Sequence, residues 1–177
     1  YGLGAARIAP ALYDAGCRAF FVAHLFEAVD LRRVLPADAE LFVLNGLAPG
    51  AEYAALAAGA IPVLNSREQM EGWARLGRAV GQPLAAAIQF DTGMSRLGLP
   101  LEDAAWTFDP EGPIRWIEPR LILSHLAVAD TPGHAGNARQ HQAFERILAH
   151  APPGVARSLA NSAGCWLGAD YHYDLCR

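Results

Sequence analysis

The sequence contains no lysine, so its 14 basic residues are all arginine. Only 18% of the residues are charged, the formal net charge is -4, and the arginines are scattered along the chain. Proteins that bind nucleic acid need a clustered basic surface, so this composition argues against such a role. No apolar run approaches the roughly 20 residues of a membrane span. The sequence also lacks the basic segment followed by an apolar segment that is typical of a signal peptide. We therefore expect neither a membrane span nor a signal peptide.

Cysteine is almost as scarce as lysine. Cys17, Cys165 and Cys176 are irregularly spaced, and they form no C-x-x-C pair. A disulfide framework or a zinc site would need paired cysteines at regular spacings. The pattern predicts a reduced, cytoplasmic protein in which each cysteine is a small core residue. With 53% hydrophobic residues, the 177 positions suffice for one domain with a full core.

Seven short, almost continuously apolar runs alternate with longer segments of helical character. Runs of this kind are typical of strands that are covered on both faces, as in a parallel sheet. They lie at 19–23, 40–44, 61–65, 84–90, 120–125, 156–160 and 173–177. The last run continues to the final residue without a turn, so we expect that the chain is cut short there, and also before Tyr1.

Helix signals stand between these runs. Ser66 opens a capping box that predicts a helix to about Val80, and Asn137 can cap a helix that runs to Leu148. Glycines also stand where C-terminal caps belong. They are Gly16, Gly59 and Gly81.

Seven strand-helix units at intervals of about 20 to 35 residues predict an α/β fold. A closed (β/α)8 barrel needs eight strands and typically about 250 residues. We therefore predict an incomplete TIM-like (β/α)8 barrel whose first strand is missing and would come immediately before Tyr1. The alternative is an open doubly wound sheet, which usually carries a G-x-G-x-x-G turn that this sequence lacks. We expect residues 1–177 to form a single domain.

Polar residues follow or end six of the apolar runs. In a β/α barrel the active site lies at the carboxyl ends of the strands, so these side chains would converge on one mouth. They are Asn45, Asn65, Gln89 and Asp91, Ser124 and His125, Asn161 and Ser162, and Arg177. Taken singly, an Asn or Ser after a strand is more often a turn or cap residue. The convergence of six strand ends is what favours a site.

Three polar segments are more specific than the rest. They read D-T-G-M-S-R-L-G at 91–98, S-H-L-A-V-A-D at 124–130 and A-N-S-A at 160–163, and Y-G-L-G stands at 1–4. In this order and at this spacing, the segments resemble those of alanine racemases, and the resemblance covers essentially the whole chain. The chain is similar to the N-terminal barrel of that family, which binds pyridoxal 5′-phosphate.

The resemblance implies an isomerase that interconverts L- and D-alanine for cell-wall precursors by proton abstraction at Cα. The cofactor would act as the electron sink for this step. The resemblance also implies a C-terminal β domain beyond this chain and a homodimer that shares each active site. Of the family's two bases, the Schiff-base lysine would lie four residues before Tyr1, and a tyrosine would come from the partner's C-terminal domain. The 177 residues alone are therefore expected to be inactive.

The resemblance assigns four residues to cofactor contacts near the phosphate and ring. Tyr1 would bind the phosphate through its hydroxyl, and Leu44 would make an apolar contact. Asn161 and Ser162 match a pair at the end of the seventh strand of the barrel. Ser162 would bind phosphate at the start of a short helix, whose N-terminus attracts anions.

Three further residues receive roles that support the reaction. Arg96 would bind the cofactor's phenolic oxygen and the substrate carboxylate, for which a guanidinium fork is well suited. His125 would pack near the ring and bond into the arginine network. Arg177 would face the pyridine nitrogen. A permanently charged arginine cannot accept the ring's proton, so side reactions such as transamination would be disfavoured.

Two positions depart from the family pattern. Gln89 stands where many members have a carbamylated lysine, and a neutral carboxamide could still orient Arg96 with less charge assistance. Ser158 stands where some members have a histidine. Both changes leave open a serine or broad-spectrum racemase and a D-amino-acid aldolase of the same fold. A non-catalytic protein that only carries the cofactor is a further alternative, and so is a barrel without cofactor.

Overall fold

Helices and parallel strands alternate along residues 3–177, the part of the chain that the computed structural model describes. The chain divides into two units, one ending at Val63 and the other covering Leu64–Arg177. Within the described residues, no helix combines the length and apolar character needed to cross a membrane.

The first unit contains three helices and three strands that alternate along the described residues. They are α1 (Ala5–Asp14), β1 (Ala19–Val22), α2 (Leu25–Arg32), β2 (Glu40–Val43), α3 (Glu52–Ala57) and β3 (Ala60–Leu64), whose last residue opens the second unit. Strand β2 pairs in parallel with both of its neighbours. Phe21 on β1 stacks on Phe42 of β2, with the ring centroids 4.7 Å apart.

Arg32 at the end of α2 forms hydrogen bonds to the turn before β2 and to the turn after α3. Its guanidinium donates to the carbonyl of Pro36 at 2.7 Å and to that of Ala39 at 2.8 Å, just before β2. It also reaches the carbonyls of Ala58 at 3.3 Å and Gly59 at 3.2 Å, after α3. The planar fork can satisfy several carbonyls at once, which a single ammonium could not do in this geometry.

The second unit repeats the alternation around three parallel strands among its described residues. Its elements are α4 (Arg67–Val80), β4 (Leu84–Gln89), α5 (Ala104–Thr107), β5 (Ile117–Leu123), α6 (Ala135–Leu148) and β6 (Ala156–Ser158). Strand β5 lies between β4 and β6, with Leu123 opposite both Gln89 and Ser158. Because the strands are parallel, their carboxyl ends lie at one edge. The core of this unit includes the fully buried side chains Trp73, Ile88, Phe90, Ile122 and Phe144.

The helix signals in the sequence are confirmed with one exception. Ser66 caps α4 by accepting from the backbone N–H of Gln69 at 3.3 Å, and Gly81 ends the helix with φ +79°. The cap predicted at Asn137 is wrong, because α6 begins two residues earlier. His134 is the N-cap, and its Nδ1 accepts from the N–H of Gly136 at 3.0 Å.

The seventh predicted strand is also wrong, since residues 173–177 form no strand. Tyr173 has a φ of +49°, which interrupts an extended backbone. Its ring packs edge-on against Phe144 of α6 at 5.3 Å between centroids, and its hydroxyl donates to Glu145. Arg177 then donates its N–H to the carbonyl of Ala160 at 3.0 Å. The aromatic residue that favoured a strand is used to dock this segment on a helix.

Helix α4 packs against the short 3-10 helix Pro113–Trp116, and Gly77 allows the close approach. A Cβ at position 77 would stand 2.6 Å from the carbonyl oxygen of Trp116. We predict that Gly77→Ala lowers the free energy of unfolding by about 1–3 kcal/mol, because the steric overlap outweighs alanine's better helix propensity of about 1 kcal/mol. Urea unfolding measures the change. The control is Arg75→Ala, at an exposed site on the same helix. An unchanged or higher midpoint for Gly77→Ala would contradict the packing argument.

Candidate active site

The loop that follows β4 is folded around one carboxylate. Asp91 Oδ1 accepts hydrogen bonds from the backbone N–H groups of Gly93 at 2.8 Å, Met94 at 2.8 Å and Ser95 at 3.1 Å. This arrangement needs left-handed backbone, and φ is +136° at Gly93 and +58° at Ser95. The carboxylate therefore fixes the turn that immediately precedes Arg96.

The same loop returns to its own strand two residues after Arg96. The N–H of Leu99 donates to the carbonyl of Gln89 at 2.8 Å, and the N–H of Asp91 donates to the carbonyl of Leu99 at 2.9 Å. Gly98 has φ +122°, and a Cβ there would lie 2.5 Å from the backbone nitrogen of Asp91. Only glycine fits this crossing. The motif D-T-G-M-S-R-L-G thus encodes a closed loop that presents one arginine at its tip.

Gln89 supports this loop from the end of β4. Its side chain is 5% exposed, and Nε2 donates to the carbonyl of Leu97 at 3.1 Å. The carboxamide therefore holds the backbone next to Arg96. Ser158 ends β6 at the same edge of the sheet, and it is fully buried. Within the described part of the chain its hydroxyl has no hydrogen-bond partner.

The charges of two guanidinium groups act on His125. Arg177 Nη2 is 3.3 Å from Nδ1 of the ring. Burial, followed by the charges of Arg177 and Arg96, lowers the pKa of His125 from 6.5 to about 4. The ring is therefore neutral at pH 7. Because a guanidinium can only donate, Nδ1 must accept, and the single ring proton is on Nε2.

Arg177 is half-buried and is affected by the same charges. Burial lowers its pKa, and the nearby guanidinium of Arg96 lowers it further. An arginine nevertheless stays protonated under all physiological conditions. The second unit thus brings together two cations and one neutral imidazole, an arrangement that favours an anionic or electron-rich ligand.

The side chain of Asn161 is engaged in shaping the loop after β6. Its Nδ2 donates to the carbonyl of Leu126 at 3.1 Å, and its Oδ1 accepts from the N–H of Gly164 at 2.9 Å. A Cβ on Gly164 would lie 2.9 Å from Leu126 Cδ1, so the loop is packed tightly there. Ser162 is exposed between them, and the helix that follows is a single 3-10 turn, Gly164–Trp166.

Two residues that the resemblance assigns to cofactor contacts remain, Leu44 and Tyr1. Leu44 follows β2 in the first unit, where it is half-buried and its N–H donates to the carbonyl of Val22 at 2.8 Å. Tyr1 lies outside the described residues.

The sequence analysis overlooked Gln140, which is 4% exposed on α6. The neighbouring buried positions on this helix follow the spacing of an inward-facing stripe. They are Gly136, Asn137, Ala143, Phe144 and Ile147. A polar residue in the middle of such a stripe is the sequence signal that could have identified Gln140. Buried polar groups need hydrogen-bond partners, so such a residue is expected to bond to other parts of the protein.

Comparison with known proteins identifies the family of this chain. The family model described as "Alanine racemase, N-terminal domain" matches residues 1–177. The alanine racemase of Brucella ovis is 51% identical over 177 residues, which are 100% of this chain and 44% of that protein. A Mesorhizobium japonicum protein named "Alanine racemase, catabolic" is 47% identical over 178 residues, covering 100% of this chain and 46% of its own length. The chain therefore spans less than half the length of these curated relatives.

Solved structures agree with the family match. An alanine racemase from Bartonella henselae, described as having covalently bound pyridoxal phosphate, superposes with a TM-score of 0.94 at 44% identity, covering 100% of this chain and 51% of the other. The enzyme from Streptomyces coelicolor A3(2) gives a TM-score of 0.88 at 28% identity, with 100% and 49% covered. These matches confirm the predicted fold class, an α/β fold of the incomplete TIM-like barrel type.

We predict that an NMR titration of the His125 ring nitrogens gives a pKa near 4, and that Arg177→Met moves it upward toward 6.5, because one of the two repelling charges is lost. The unfolded chain binds this proton more tightly than the folded chain, so stability should fall as the pH drops from 6.5 to 4. Arg75→Met, at an exposed site on α4, is the control. A pKa of 6.5 in the unmodified protein would refute the charge argument.

Proposed function

This chain belongs to the alanine racemase N-terminal domain family, and on that premise we propose that the complete protein is a pyridoxal-5′-phosphate-dependent racemase that interconverts L- and D-alanine. The observation that carries the proposal is the grouping of Arg96 and Arg177 around the neutral ring of His125. The Bartonella henselae relative, which is described as holding the cofactor covalently, supports the choice of cofactor.

The residues of the second unit fit this cofactor by charge and by hydrogen-bonding capacity. Two guanidinium groups close to one imidazole repel each other, and an anionic ligand relieves that repulsion. Arginine forks match carboxylates and phenolic oxygens in geometry as well as in charge. When bound, the cofactor would supply an electron sink that acidifies the substrate's Cα–H bond.

Each of the three residues has a separate proposed task. Arg96 would hold the substrate carboxylate and the phenolic oxygen of the cofactor, and the closed loop around Asp91 fixes the backbone that carries it. Arg177 would face the pyridine nitrogen and would leave that nitrogen unprotonated, because a guanidinium does not give up its proton. His125 accepts from Arg177 through Nδ1, which holds that guanidinium in position.

The remaining assignments concern the cofactor's phosphate and ring. Ser162 and Tyr1 would bind the phosphate, and Leu44 would make an apolar contact with the cofactor. Asn161 would act by shaping the loop that presents Ser162, since both polar atoms of its side chain already bond to backbone groups of that region.

The proposal extends to the organisation of the complete protein. Residues 1–177 would form most of one cofactor-binding domain, as a single family model matches both units without interruption. A C-terminal β domain would follow, and a cytoplasmic homodimer would make D-alanine for the cell wall from a small amino-acid substrate. The 177 residues contain no lysine, so they cannot supply the lysine base of the family, and they should be inactive alone.

The complete protein tests this proposal directly. We predict that it forms D-alanine from L-alanine, and that Arg96→Lys lowers kcat/KM by more than about tenfold because the bidentate contact, worth about 1.5–3 kcal/mol, is lost although the charge is kept. Arg75→Lys on the surface of α4 is the matched control.

The result also separates the alternatives. Cofactor binding without any racemisation would indicate a carrier protein, and faster turnover of serine or of many amino acids would indicate a racemase of broader specificity. Cleavage of a β-hydroxy-D-amino acid would indicate an aldolase. Unchanged activity of Arg96→Lys would show that the fork geometry is not needed.

A further inference from the structure

Both hydrogens and the oxygen of the Gln140 side-chain amide form hydrogen bonds. Oε1 accepts from the backbone N–H of Ala127 at 2.8 Å. Nε2 donates one hydrogen to the carbonyl of His125 at 2.9 Å and the other to Oγ1 of Thr92 at 3.1 Å. The three partners fix which end of the amide is oxygen, since only nitrogen can donate to a carbonyl.

These contacts also fix the direction of a chain of hydroxyl groups. Thr92 Oγ1 accepts from Gln140, and it lies 2.8 Å from Oγ of Ser124. Ser124 Oγ donates its single hydrogen to the carbonyl of Phe90 at 2.7 Å. Because that hydrogen is already used, Thr92 must be the donor to Ser124. The order is therefore amide, threonine, serine and carbonyl, with each group donating to the next.

This series of hydrogen bonds joins three segments of the protein that are distant in sequence. Phe90 and Thr92 flank the start of the loop that carries Arg96, Ser124 directly precedes His125 at the end of β5, and Gln140 lies on α6. Gly93 of the Arg96 loop faces the Gln140 side chain, because a Cβ built on Gly93 would lie 3.4 Å from Cγ of Gln140.

We propose that Gln140 is a positioning residue that fixes the position of the loop carrying Arg96 relative to the loop carrying His125. The role in catalysis rests on the racemase function proposed above, whereas the role in geometry does not. Gln140 itself contacts the backbone on both sides of the site and acts through Arg96 and His125.

Only an amide satisfies all three partners. Methionine has a similar length but no donor, so it would leave the Ala127 N–H and the His125 carbonyl without their partner. Glutamate keeps the acceptor for Ala127, but when ionised it faces the His125 carbonyl with a second oxygen. A protonated glutamate would donate to that carbonyl again. The folded protein should therefore hold the pKa of a glutamate at position 140 above its usual value of about 4.3.

The experiment compares Gln140→Met and Gln140→Glu in the complete protein. The matched controls are Gln142→Met and Gln142→Glu, which place the same changes at an exposed position two residues along the same helix. Three readouts are needed: hydrogen exchange of the Ala127 amide, NMR titration of the His125 ring, and kcat and KM measured on the folded protein well below its unfolding temperature.

For Gln140→Met we expect exchange at Ala127 to rise more than tenfold, the His125 titration to shift, and kcat to fall more than tenfold while the protein stays folded. For Gln140→Glu the ratio of its kcat to that of the unmodified protein should be more than tenfold higher at pH 5 than at pH 8, because the carboxyl ionises as the pH rises. Both Gln142 variants should match the unmodified protein.

The recovery of kcat in Gln140→Glu at low pH distinguishes a positioning role of residue 140 from a general loss of stability. A folded Gln140→Met with an unchanged His125 titration and unchanged kcat would overturn the proposal. So would a Gln140→Glu whose relative activity does not depend on pH. If the unmodified protein makes no D-alanine, the racemase function fails, and the exchange and titration readouts still decide the geometric role.

Discussion

The hydrogen bonds of the Gln140 amide are the interaction on which the polar edge of the second unit depends. Parallel strands end with backbone groups that the sheet does not satisfy, and burial makes an unsatisfied group costly. Here one amide and one hydroxyl supply the partners for Phe90, His125 and Ala127. The loops that follow the strands are consequently held by side chains from elsewhere in the sequence, and their conformation is not left to local preference.

On this scaffold the site combines groups that are unfavourable together. Burial first, and then the charges of Arg177 and Arg96, lower the affinity of the His125 ring for a proton. The neutral ring can then accept from Arg177, which a protonated ring could not do. The two positive charges beside this ring favour an anionic ligand. Structure and ligand preference therefore have one electrostatic origin.

The sequence predicted features whose cause is local. Continuous apolar runs located six strands, and Ser66 identified the start of α4. The predictions failed where another group competes for the same role. Asn137 is a good cap in isolation, but the ring of His134 takes that role. Tyr173 favours a strand, but packing on α6 prevails. Gln140 was overlooked because Thr92, its partner, lies 48 residues away.

The one-way order of the hydroxyl chain has an evolutionary consequence. Each hydroxyl must both accept and donate, so replacing Ser124 by alanine leaves the Thr92 hydrogen without its acceptor and the Phe90 carbonyl without its donor. Changing Thr92 to valine as well would remove that unsatisfied hydroxyl, but it would leave one hydrogen of Gln140 Nε2 without its acceptor. Substitutions at positions 92, 124 and 140 are therefore coupled, and we expect these three positions to drift through the family as a group.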